Sequence, residues 1–156
     1  MNKKIFSLFA VIAFLYSCNN QKTPSESVED NSLAEPTSTA LSGEHCYSYI
    51  KDKDSITLNI IIADSSVVGK LRYNLYEKDT NDGAINGSLK NDTLLADYKF
   101  MSEGKQSVRQ IAFLLTDSTA KEGYGEMQEQ DSKMIFANPH ALSFNNAFTL
   151  LKKQCD

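Results

Sequence analysis

Few residues in this chain can do covalent or metal chemistry. It has three cysteines, Cys18, Cys46 and Cys155, and two histidines, His45 and His140. A zinc site draws three or four well-placed ligands, often in a short motif such as His-Glu-x-x-His, and no such motif occurs. Ser48–Lys51 and Ser118–Lys121 match Ser-x-x-Lys, but the companion motifs that complete that serine chemistry are absent. Gly123-Tyr124-Gly125 lacks the glycine spacing and following helix of a phosphate loop. Glu77, Asp79 and Asp82 cluster without the offsets of a calcium loop. No catalytic residue, metal ligand or cofactor site is therefore assigned, and a non-enzyme is expected. What remains is a polar aromatic set, Tyr47, Tyr49, Tyr73 and Tyr98, with Arg109. If these side chains share an interior, they form a candidate ligand pocket for a small apolar or anionic molecule. The bland alternative is core tyrosines with hydroxyls at the rim, and an arginine reaching water or neutralised by Glu122.

The elements that must position this set are short and alternating. From Gly43 onward, period-2 runs are separated by turn residues, the signature of an all-β sandwich or barrel. Ser55–Ala63 is the clearest, with Ile56, Leu58, Ile60 and Ile62 on one face. Strands are also expected over Glu44–Ile50, Val67–Lys78, Ala84–Lys90, Thr93–Met101, Ser107–Thr116, Ala120–Gln128, Lys133–Ala137 and Ala147–Gln154. DTNDG, residues 79–83, is expected as a turn. Gly69 falls on an inner face, where glycine permits a bend or bulge. In Ser107–Thr116 the bulkier face carries Arg109, Ile111, Phe113 and Leu115 and is placed inside. Asn138-Pro139 ends a strand, and a loop or single helical turn is expected over 139–146. No segment is long and helical enough to link parallel strands. The expectation is an antiparallel meander of about eight or nine strands, closed as a small up-and-down, calycin-like barrel. At the level of fold this resembles the lipocalin and avidin barrels, and fold likeness implies no particular function.

Residues 1–42 differ in kind. Lys3 and Lys4 precede a twelve-residue apolar run, Ile5–Tyr16, interrupted only by Ser7. Twelve helical residues rise about 18 Å, short of a bilayer core of about 30 Å. A basic start, an apolar run and a small residue before the cut make a secretory signal. With Ser17 followed by Cys18, the segment resembles the type II signal peptides of bacterial lipoproteins. The resemblance covers residues 1–18 and implies cleavage after Ser17 and acylation of Cys18, with chains such as palmitate. It also implies a lipid-anchored place in the cell envelope, the outer membrane being the expected one, with the domain periplasmic or surface-exposed. Two or more chains hold a protein stably to a membrane. Asn19–Ser42 has no periodicity and carries a net charge of −3. Its Ser, Thr, Asn, Glu and Pro content cannot offset the entropy of ordering, so 18–42 is read as a lipidated cysteine and disordered linker. The domain is placed at 43–156.

Without Lys3 and Lys4 the chain has 14 basic and 20 acidic residues, a net of −6, which disfavours a nucleic-acid partner. In a closed meander the first and last strands are neighbours. In an oxidising envelope compartment a Cys46–Cys155 disulfide, facing outward, is then expected. Three functions follow: a non-catalytic domain binding a small ligand or an envelope protein, a structural or envelope-stress component acting by contact, or a hydrolase with an unrecognised site.

Overall fold

The computed structural model describes residues 41–145 and 148–155. The expected signal peptide, Cys18 and nearly all of the expected linker lie outside them. Ten strands follow in order: β1 (Gly43–Lys51), β2 (Asp54–Ala63), β3 (Ser66–Asn74), β4 (Asn81–Lys90), β5 (Thr93–Ser102), β6 (Lys105–Leu115), β7 (Thr119–Gly123), β8 (Met127–Gln130), β9 (Lys133–Phe136) and β10 (Thr149–Lys153). A 3-10 turn, Pro139–Ala141, precedes β10.

Strands β1 to β7 run as an antiparallel meander, and β10 pairs with both β7 and β1. Eight strands thus close into a barrel, which is the expected fold. Five of the hairpins turn in two residues, and their first residues, Asp52, Asp64, Asn91, Glu103 and Asp131, have positive φ. Left-handed backbone at that point matches the twist of the flanking strands, and Asp and Asn tolerate it best.

The alternation predicted from sequence sorts the side chains. Ile56, Leu58, Ile60, Ile62, Val67, Leu71, Ile111, Phe113, Leu115 and Leu150 fill the interior. Outward positions such as Asn59, Lys70, Arg72, Asn86 and Lys99 are exposed. An apolar inside and polar outside is the reverse of a membrane-spanning barrel, whose outer band is apolar. Among the described residues no helix is long and apolar enough to cross a membrane. Gly69 serves close approach: a Cβ there would stand 2.1 Å from the Asn59 carbonyl oxygen on β2. Leu41 packs against the core just before β1.

Cys46 on β1 is bonded to Cys155 just past β10, with Cα atoms 5.3 Å apart. Cys46 pairs in register with Lys153, so the bridge runs diagonally across the closing seam on the outer face.

Three local expectations are corrected. Asn81, Asp82 and Gly83 belong to β4, because β3 and β5 flank them and supply ladder partners; the turn ends earlier, at Thr80. Strand β3 accordingly stops at Asn74 rather than Lys78. The single strand expected over Ala120–Gln128 is two, β7 and β8, with the break at Tyr124–Glu126. The hairpin β8–β9 leaves the barrel wall, and β9 touches β6 through one parallel pair, Arg109 with Met134.

Candidate functional site

Because hairpins alternate, the barrel has two distinct ends. Gly43, Lys153 and the turns at 64–65, 91–92 and 116–118 lie at one. The turns at 52–53 and 103–104, the 75–80 loop and the end of β7 lie at the other. A charged cluster occupies the interior of this second end.

Glu122 sits inward on β7, between Ala120 and Tyr124 at strand spacing, and is buried. Tyr73 on β3 donates its hydroxyl to Glu122 Oε1 at 2.6 Å, across the barrel. Tyr124 donates to Glu122 Oε2 at 2.9 Å. Both carboxylate oxygens therefore hold a phenol. Burial first, and then the Glu122 charge and hydrogen bond, push the Tyr73 and Tyr124 hydroxyls well above the usual phenol range. Both stay protonated donors at neutral pH.

Arg109 enters from β6 and lies over aromatic faces. Its guanidinium carbon is 5.3 Å from the Tyr73 ring centre, 5.7 Å from Tyr98 and 5.6 Å from Phe100. Each such contact is worth about 0.5–2 kcal/mol, more as water is excluded. Nε of Arg109 is buried without a hydrogen-bond partner, as is the Tyr98 hydroxyl. No carboxylate among the described residues lies within ion-pair distance of Arg109. The expected alternative, neutralisation by Glu122, is not what forms: the two tyrosines occupy that carboxylate instead.

The cluster opens sideways. Strand β6 has eleven residues and β7 five, and they pair only from Ala112–Gly123 to Leu115–Ala120. Past Gly123 the strands part, leaving a window in the wall. Arg109, Ile111, Glu122 and Tyr124 line a cavity of about 290 Å³ there, and Met127, Met134 and Phe136 of the β8–β9 hairpin cover it. Lys133 holds the hairpin to Asp97 of β5 at 2.6 Å. The Phe136 N–H donates to Gln110 Oε1 at 3.0 Å.

Of the residues singled out from sequence, the structure brings Tyr73, Tyr98 and Arg109 together. Tyr49 lies at the same end but packs edge-on against Phe148, 5.1 Å between centres. Tyr47 does not join them. Its hydroxyl donates to the Thr116 carbonyl at 3.1 Å, at the opposite end, because β1 carries it one pleat further from the mouth than Tyr49. Tyr124 and the methionines were missed. Glu122 and Tyr124 are two apart and so share a strand face, a signal present in the sequence. The hairpin's return over the window had none.

The groups with catalytic precedent stand elsewhere. His45 is buried at the far end, its Nε2 2.9 Å from the Ser42 carbonyl. His140 is exposed in the 3-10 turn. Ser48 and Lys51, three apart on β1, point to opposite faces. Glu44 comes close to Cys46 and Cys155, but the disulfide removes both sulfurs as thiolate ligands. A larger cleft of about 480 Å³ lies outside the barrel, between Lys90 and Leu95 on one side and His140, Leu142 and Phe144 on the other. None of its lining side chains holds a buried unpartnered polar atom.

No family model, curated protein or solved structure matches the chain.

Proposed function

We propose that this protein is a lipid-anchored lipoprotein of the cell envelope whose barrel binds a small ligand without catalysis. The observation that carries this reading is the guanidinium of Arg109, which lines a windowed cavity with no carboxylate among the described residues at ion-pair distance. A charge drawn into a largely apolar interior is costly unless a partner meets it, so a guanidinium at an accessible cavity with no ion-pair partner suits an anionic ligand. A mostly apolar cavity with a few convergent polar groups is the usual form of a small-molecule site.

The barrel's polarity agrees with a tethered role. The chain enters β1 at Gly43, at the end opposite the cluster. A lipid on Cys18, joined through the linker, leaves that other end free to meet solutes. The disulfide lies at the entry end, where it suits an oxidising compartment.

Native mass spectrometry of the detergent-solubilised protein tests both halves. The expected result is an amino-terminal peptide beginning at acylated Cys18, and a small molecule lost when the barrel unfolds. A bare Cys18 overturns the anchor. A folded barrel that carries and takes up no small molecule overturns the binding role.

A further inference from the structure

Resting on that binding role, we infer the ligand's class: a monocarboxylate with a compact apolar body, held by Arg109 through the window between β6 and β7. The planar guanidinium presents donors in a fork that matches a carboxylate bidentately. Besides Gln110, Glu122, Tyr124 and two glycines, the cavity wall carries the apolar side chains of Ile111, Met127, Met134 and Phe136, of which the methionines adapt to irregular shapes. A volume near 290 Å³ corresponds to roughly ten waters, hence a ligand of about ten non-hydrogen atoms.

Glu122 sets the charge. It lines the same cavity, so a second negative charge on the ligand meets repulsion, which disfavours phosphate monoesters at about −1.5 to −2. An ammonium ligand meets Arg109 instead. The hydroxyls of Tyr73 and Tyr124 hold both Glu122 oxygens, and so keep this carboxylate from closing on Arg109. The two tyrosines are positioning residues for the anion site, and Arg109 is the residue that touches the ligand.

Three probes of one shape separate the terms: phenylacetate, 2-phenylethanol and phenethylamine, titrated calorimetrically into the full chain. Phenylacetate is expected to bind best. R109Q is expected to weaken it about tenfold or more, the usual scale for a charge-assisted contact, while leaving the alcohol unchanged. E122Q is expected to tighten phenylacetate several-fold by removing the repulsive charge, and Y124F to weaken it by freeing Glu122 toward Arg109. Thermal unfolding of each variant checks the fold, and E122Q carries the test should R109Q fail to fold. If the alcohol or amine binds as tightly as the acid, or if folded R109Q and E122Q both leave phenylacetate affinity untouched, the carboxylate assignment is overturned and the binding role stands. If none of the three binds a folded protein, this ligand class is overturned, and the copurification experiment decides the binding role separately.

Discussion

Glu122 illustrates how a buried charge is made tolerable. Its oxygens accept two phenol hydroxyls, and the Arg109 guanidinium lines the same cavity without closing on it. Tyr73→Phe removes one of those donors from a largely buried carboxylate. The expected cost is about 1–3 kcal/mol, read from urea unfolding midpoints at unchanged slope. The same tyrosines predict alkaline behaviour. Tyr73 and Tyr98 ionise less readily in the fold, chiefly because of burial. Raised folded values mean that their contribution is intact below the unfolded phenol value of about 10, and is lost as pH climbs past it. Stability is expected to fall above pH 10, and the part of the tyrosinate absorbance that belongs to the buried Tyr73 and Tyr98 is expected to rise in step with unfolding rather than before it. Tyr73→Phe is expected to make that fall shallower. Sequence alternation foretold the inward facing of Tyr73, Tyr98 and Arg109, because period 2 is a local property. Which of two candidate partners Glu122 chooses depends on distances across the barrel, and no local pattern holds those.

At the scale of elements, the wall depends on matched strands and the window on a mismatched pair. Gly69→Ala places a methyl against the β2 backbone, which cannot move as a side chain can. The expected destabilisation is about 1–3 kcal/mol by overpacking, measured by chemical denaturation. The hairpin β8–β9 is a different case. It adds no strand to the closed barrel, and its ion pair to Asp97 is about two-fifths exposed, worth under about 1 kcal/mol. Replacing residues 126–137 by a short link is therefore expected to leave the barrel's strand signature and cooperative unfolding in place. The window would lose Met127, Met134 and Phe136, so binding of an apolar carboxylate is expected to weaken while folding persists. Loss of folding in that variant would show that the hairpin is part of the wall. The boundary between β7 and β8 was invisible in sequence because both halves alternate. Only the departure of β6 from β7 at Gly123 separates them.

For the whole molecule, closure is the event that fixes the interior. Strands β1 to β7 are joined by sequence neighbours, whereas β10 must find β1 across nearly the full domain. The Cys46–Cys155 bond spans 109 residues and ties that seam. In the chain-entropy description a loop of this length contributes on the order of 4–5 kcal/mol, less any native strain. Cys46→Ser with Cys155→Ser is expected to lower the unfolding midpoint strongly. Hydrogen exchange in that variant is expected to quicken first along β1 and β10, with β3 to β5 protected longest.

Taken alone, the sequence determined which residues face inward, where the tight two-residue hairpins fall, and that the two domain cysteines meet. Period-2 alternation, left-handed turn residues and the adjacency of first and last strands in a closed meander are enough for those. Only the tertiary structure decided that Tyr47 serves the far end, that Glu122 belongs to tyrosines rather than to Arg109, and that a short strand leaves a window under two methionines. Those outcomes turn on stagger around the barrel and on where unequal strands part. Both are set by closure of the whole sheet, so they have no signature in any one stretch of chain.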